Sequence, residues 1–254
     1  MNVLVCVKRV PATGGRITLT PDEQEIDTRH LGFTVSPHEE CAVEEAVRLI
    51  DAHKGSSTVL TLGPEAATQQ LRDALALGIG RALLLETDGR EWDAGATSRA
   101  IVDCVRAEAA GMEYDLLLFG NEAADTGDFQ VGVRVAHELG LPCVTGVKAL
   151  EVRDGTAVVR REASGGWDVF EIPLPAVISV KEGINLPRYP SVPGRLRAKR
   201  QEIERAVPDW PGNGLRKLRL RTPEEQEKIV EILGDGPEAA RRAVDIFEQL
   251  GLTP

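Results

Sequence analysis

Apolar residues along this chain fall into short dense runs separated by longer amphipathic stretches. The run 3–10 (VLVCVKRV) is rich in β-branched residues, and similar runs recur at 58–62, 82–85 and 115–119, so each is expected to be a buried strand. Between them the period changes. In 38–52, Val43, Ala46, Val47 and Ile50 recur at helical spacing, and 64–77 and 95–110 show similar Ala- and Leu-rich stripes. A further helix is expected after Asp128, carrying Val131, Val135, Ala136 and Leu139 and ended by Gly140. Strands alternating with helices imply parallel pairing, because a parallel crossover needs a helix-length connection. The runs 144–152, 156–161 and 169–172 then read as an antiparallel meander with an Asp154-Gly155 turn. The expected fold is therefore a three-layer α/β domain with a mostly parallel sheet over 1–182.

The pattern changes after residue 182. Pro187, Pro190, Pro193, Pro208 and Pro211 punctuate 183–214, where few apolar positions are periodic, so an extended, surface-running arm is expected. Thr222-Pro223-Glu224-Glu225 has the form of a capping box with Pro at the first helical position, opening a helix to Leu233. A second amphipathic helix, 237–250, aligns Ala240, Ala243, Val244, Phe247 and Leu250. Two such helices beyond an arm have little core of their own, so 183–254 is expected to dock on another chain or back on this one.

Charge sharpens that division. The 254 residues carry a net charge of −10, yet 188–221 holds ten Lys and Arg against three acids, a local +7 against −17 elsewhere, which points to a partner surface. The overall acidity excludes a nucleic-acid surface spread over the whole molecule. No apolar run approaches the ~18 residues of a membrane span. The N-terminus enters a strand without a basic region or cleavage site, so a cytoplasmic protein without a secretory signal is expected. Cys6, Cys41, Cys104 and Cys143, like His30, His38, His53 and His137, stand singly, without metal-ligand spacing or a nucleophile elbow. Neither a metal site nor catalytic residues are expected.

In a doubly wound sheet, ligands bind beyond the carboxyl ends of the strands, where helix N-termini offer free N–H groups to phosphate. Four loops qualify: 8–15, 36–39, 62–64 and 120–131. The last, within GNEAADTGDFQVG, places glycines at 120, 127 and 132 just before a helix, so its backbone can approach a nucleotide closely. No dinucleotide fingerprint or P-loop occurs, and Gly78-Ile79-Gly80 reads as a helix cap and turn.

Five stretches, VLVCVKRV (3–10), SPHEECAVEEAVRL (36–49), GPEAATQQLRDALALGIGRALLL (63–85), DTGDFQVG (125–132) and LPAVISVKEGINLPRYPSVPGRLRAKRQEIE (174–204), together resemble the beta subunit of electron transfer flavoprotein. The resemblance covers residues 1–204 and implies an adenine-nucleotide-binding α/β fold without substrate chemistry of its own. It implies pairing with an alpha subunit that carries most of the FAD, and a structural AMP in beta. The implied AMP contacts are Cys6, Ser36, Pro37, His38, Glu39, Leu62, Gly120, Asn121, Glu122, Ala123, Ala124, Asp125, Thr126, Gly127, Asp128, Phe129, Gln130 and Val131. The 186–195 loop, with Arg188, Tyr189 and an apolar anchor at Val192, resembles the family's docking loop for flavin dehydrogenases, from which electrons pass to a quinone-linked oxidoreductase. Glu162, in the turn 162–166, matches a Glu that meets the alpha FAD domain.

Two departures bear on the ligand. The commoner branch ends the loop in Asn-Gln-Thr-Gly, and here Phe129 and Val131 replace the Asn and Thr, which removes a hydroxyl contact. Gln130-Val131-Gly132 and Val10-Pro11 instead resemble a branch containing electron-bifurcating members, in which a second FAD replaces AMP. The bulk of Phe129 favours AMP over the larger flavin. A stand-alone adenine-nucleotide-binding protein is the rival from another class.

Overall fold

The computed structural model describes all residues except 13, 15, 16, 223–229, 253 and 254. In chain order its elements are β1 (Asn2–Cys6), β2 (Val10–Pro11), β3 (Phe33–Thr34), α1 (Pro37–His53), β4 (Ser56–Gly63), a 3₁₀ turn (Glu65–Ala67) running into α2 (Thr68–Leu77), β5 (Arg81–Glu86), α3 (Ala94–Glu108), β6 (Leu116–Gly120), α4 (Val131–Leu139), β7 (Cys143–Arg153), β8 (Thr156–Ala163), β9 (Gly166–Pro173), β10 (Ala176–Val180), α5 (Val192–Arg200), β11 (Glu204–Ala206) and α6 (Glu238–Gln249). Among the described residues, nine strands form one sheet in the order β11-β5-β4-β1-β6-β10-β7-β8-β9. Pairing is parallel from β11 through β7 and antiparallel across β7, β8 and β9. The fold is thus the expected α/β class with a large, mostly parallel sheet.

Strand residues alternate between two cores. Val3, Val5, Leu116, Leu118 and Ile178 pack on one side with α1 and α2, while Leu4, Leu60, Leu117, Phe119 and Val177 pack on the other with α3 and α4. Both faces are covered, which is why these strands are continuous apolar runs instead of alternating ones. Each fully buried Leu or Val contributes about 1.5–3 kcal/mol relative to an exposed one. β10 inserts between β6 and β7 and is buried along its whole length. Asp154 and Gly155 turn β7 into β8 with positive φ at both positions (47° and 76°), the geometry that suits a two-residue hairpin.

Two expectations change. The run 3–10 is not one strand: β1 stops at Cys6, and Val10 and Pro11 pair antiparallel with β3. Proline lacks the N–H a central ladder needs, so the segment peels away to a two-stranded edge. The arm is not extended throughout, because it contains α5 and then adds β11 in parallel beside β5. At Gly194 an added Cβ would lie 2.5 Å from the Ala76 carbonyl oxygen, so α5 seats against α2 only because no side chain stands there. The helix expected from Thr222 to Leu233 falls largely on 223–229, outside the described residues. α6 forms as expected but buries none of its residues. Among the described residues, no helix is long and apolar enough to cross a membrane.

Candidate functional site

β1 has β4 on one side and β6 on the other, so crossovers leave it in both directions. At the carboxyl edge of this switch point lies a cleft of about 650 Å³, within the size range of small-molecule sites. Its floor is the ends of the central strands: Cys6 from β1, Leu60, Leu62 and Gly63 from β4, Phe119 and Gly120 from β6, and Ser179 from β10. Burial pushes the Cys6 thiol well up, so the sulfur is a neutral part of that floor.

One wall is the start of α1 joined to the loop after β6. The Glu39 carboxyl accepts the Ser36 N–H at 3.0 Å and the Lys8 N–H at 2.9 Å, tying α1 to the end of strand one. Ser36 Oγ accepts the Ala124 N–H at 2.9 Å, tying α1 to the loop. Burial raises the Glu39 carboxyl to about 8, outweighing the N–H bonds that favour its charged form. Gly120 makes this junction possible, since a Cβ there would stand 2.6 Å from Glu39 Cγ. Asn121 fixes the start of the loop by accepting the Gly146 N–H at 2.8 Å through its side chain, and Lys8 Nζ meets Asp125 Oδ2 at 2.8 Å.

The structure gathers Cys6, Glu39, Leu62, Gly120, Asn121, Glu122, Ala123, Asp125, Thr126, Asp128, Phe129, Gln130 and Val131 around the cleft. Ser36, Pro37, His38, Ala124 and Gly127 do not line it. Ser36 and Pro37 start α1, His38 Nε2 sits 3.9 Å from Glu122, and the Gly127 N–H donates to the Ala123 carbonyl at 2.9 Å. Their part is to hold the wall in shape. Gln130 turns its side-chain oxygen back to the Arg134 guanidinium, at 2.9 and 3.1 Å. Phe129 stands on the rim, 54% exposed, with φ of 58°. That left-handed backbone suits Asn, and costs a bulky side chain about 1–2 kcal/mol.

The opposite wall went unread in the sequence. It comprises Arg90, Trp92 and Asp93 before α3, and Asn213, Leu215, Arg216 and Lys217 from the arm. Asp93 is legible as the cap of α3, since its carboxylate accepts the Ala96 N–H at 2.7 Å, but nothing local links it to residues 120 positions away. Trp92 Nε1 is buried and finds no acceptor among the described residues. A buried donor without a partner costs about 1–3 kcal/mol.

The electron transfer flavoprotein domain model matches residues 25–209, most of the chain. The chain is 34% identical to the electron transfer flavoprotein subunit beta of Bacillus subtilis (strain 168), over 80% of its own length and 78% of that protein. It is 36% identical to the subunit beta of Syntrophomonas wolfei, over 82% and 80%, and 36% identical to that of Mycobacterium leprae, over 80% and 77%. The chain belongs to the electron transfer flavoprotein beta-subunit family.

The residues this family resemblance assigns to partners lie away from the cleft. Glu162 is within β8, beside the Ser164-Gly165 turn instead of in it, and meets Lys148 Nζ at 3.2 Å. Arg188 is held at the base of its loop by the buried Glu44 carboxylate, which it contacts from N at 3.2 Å, Nε at 2.9 Å and Nη2 at 3.1 Å. Burial alone would raise the Glu44 carboxyl, but the Arg188 and Arg48 hydrogen bonds outweigh it and leave it below its ordinary value. Asn185 is tied to the same helix, donating to Cys41 O at 3.0 Å and Glu45 Oε2 at 2.9 Å. Beyond these anchors Tyr189 is 95% exposed, and Val192, the first residue of α5, is 72% exposed.

Proposed function

We propose that this chain is the beta subunit of a cytoplasmic, heterodimeric electron carrier, pairing with an alpha subunit that carries most of the FAD and holding AMP in its own cleft. The carrier takes electrons from flavin dehydrogenases of the acyl-CoA dehydrogenase type, as in fatty acid oxidation, and delivers them to a quinone-linked oxidoreductase. One continuous family match carries this reading, because 25–209 contains the 120–131 wall, Glu162 and the 186–195 loop together. When bound, FAD supplies the one- and two-electron redox chemistry.

This chain's residues bind and position. The α4 N-terminus, at Gln130 to Gly132, faces the nucleotide, Gly120 lets backbone approach it, and Glu39 fixes the wall. The Glu44–Arg188 pair presents Tyr189 and Val192 on a pre-ordered loop, so little entropy is lost when a dehydrogenase docks. The division proposed is a nucleotide-binding unit at 1–182 and an arm at 183–254, with α6 docking its exposed Val244, Phe247 and Leu250 on alpha. Co-expression with the alpha subunit should yield a yellow 1:1 complex, and truncation after Leu220 should weaken it while leaving the core folded. A soluble, colourless monomer that ignores alpha would instead support a stand-alone nucleotide-binding protein.

A second flavin in place of AMP is the alternative reading. The 650 Å³ cleft, which reaches from α4 across to Lys217, favours it, as do Gln130-Val131-Gly132 and Val10-Pro11. The Phe129 ring on the rim favours the smaller nucleotide.

A further inference from the structure

We propose that the arm segment 213–217 is a wall of the nucleotide site, closed over the ligand by Asp93, with Arg216 as a phosphate contact. The proposal rests on the reading that the cleft holds a nucleotide, and it assigns a binding role to a part of the chain beyond the 25–209 family match.

The segment is fastened on two banks. On the first, Asp93 uses one carboxylate oxygen to cap α3 and offers the other to the Gly214 and Leu215 N–H groups at 2.7 and 3.0 Å. The Asp93 N–H donates to Asn213 Oδ1 at 3.0 Å, Asn213 Nδ2 donates to the Glu91 carbonyl at 3.0 Å, and Lys217 Nζ meets the Glu91 carboxylate at 2.7 Å. On the second, the Leu220 N–H donates to Glu23 O at 2.8 Å, and Gln24 Nε2 donates to Leu218 O at 3.0 Å. Strung between them, Asn213, Leu215, Arg216 and Lys217 line the cleft beside the unpartnered Trp92 N–H.

Three lining acids are already engaged: Asp93 by N–H groups, Glu91 by Lys217 and Asp125 by Lys8. Glu39 is held by two N–H groups, which leaves Glu122 and Asp128 as the lining acids a phosphate must avoid, and the planar Arg216 fork suits phosphate oxygens. The fastenings are exposed polar contacts, the kind that open locally at low cost. A ligand touching both the strand ends and this wall binds the closed form preferentially, so occupancy and closure stabilise one another reciprocally.

Arg216 and Lys217 are themselves trypsin sites, which gives the test. The complex with alpha, stripped of nucleotide, is titrated with radiolabelled AMP by equilibrium dialysis, and limited tryptic cleavage is mapped with and without AMP. Saturating AMP is expected to slow cleavage after Arg216 and Lys217 by about tenfold relative to cleavage after Arg153, through this linkage. Arg216→Glu is expected to weaken AMP about tenfold, the scale of one charge-assisted hydrogen bond, whereas Arg153→Glu should not. Asn213→Ala, which loosens the wall without touching the α3 cap, should speed cleavage and weaken AMP several-fold. Bound AMP with unchanged cleavage would overturn the wall, and unchanged affinity in Arg216→Glu would overturn the phosphate contact, both leaving AMP in the cleft. Absence of AMP binding would overturn the underlying reading as well.

Discussion

Glu39 shows how one side chain serves both the fold and the site. Its carboxyl accepts two backbone N–H groups from different segments, and Glu39→Gln turns an NH₂ toward one of them. The expected loss is about 1–3 kcal/mol, measured by urea denaturation. The pH dependence follows from a folded value of about 8 against 4.5 for the free group. Between these values the native state holds a proton that the unfolded chain has released, so this contribution is full below pH 4.5 and is lost as pH rises through 8. Glu39→Gln should flatten that slope, and a slope that persists would show that another group carries it. At Phe129, Asn tolerates the left-handed backbone better, so Phe129→Asn should stabilise the protein by about 0.5–1 kcal/mol. Glu39 was legible only as part of the 36–39 loop at the carboxyl edge of the sheet, and its two N–H partners were not. The contribution of Trp92 and the second use of Asp93 were not, because both depend on what the tertiary fold brings alongside.

At the scale of elements, the sequence read best where periodicity had to match a core face. The strands and helices of 37–139 lie within a few residues of expectation, because strands covered on both faces must be continuous apolar runs and the helices covering them must show helical spacing. The arm read worst. Its prolines signalled extended chain, yet Pro193 sits in the first turn of α5, where a missing N–H costs nothing, behind a Ser191 cap that accepts the Gly194 N–H at 3.1 Å. Val192→Asp should cut electron transfer from a dehydrogenase by about tenfold or more in kcat/KM, because a charge in an apolar anchor pocket is poorly solvated. Flavin content and stability should hold, since Val192 is exposed and an acid at a helix start is favourable. An unchanged rate would remove Val192 from the docking surface. Glu44→Ala frees Arg188 and should cost about 1–3 kcal/mol, the lower end applying if the part-exposed Arg188 rehydrates. Hydrogen exchange over 185–190 should quicken accordingly.

Across the whole molecule, the basic arm proves to be partly an internal matter. Arg188 pairs with the buried Glu44, and Arg205, Lys217 and Arg219 pair with the surface acids Glu65, Glu86, Glu91 and Glu23 of the 1–182 unit, so the −17 body attracts its own +7 arm. Arg195, Arg197, Lys199 and Arg200 on α5 stay exposed, and they are the part of that charge left for the proposed docking partner. Charge composition revealed the asymmetry but not its division between self and partner, since sequence carries no distances. The central claim, a beta subunit whose cleft holds AMP, is tested most directly by denaturing the purified complex with alpha and quantifying the released cofactors by chromatography. One FAD and one AMP per complex is the predicted result, whereas two FAD without AMP, or no nucleotide beyond the FAD of alpha, would contradict it.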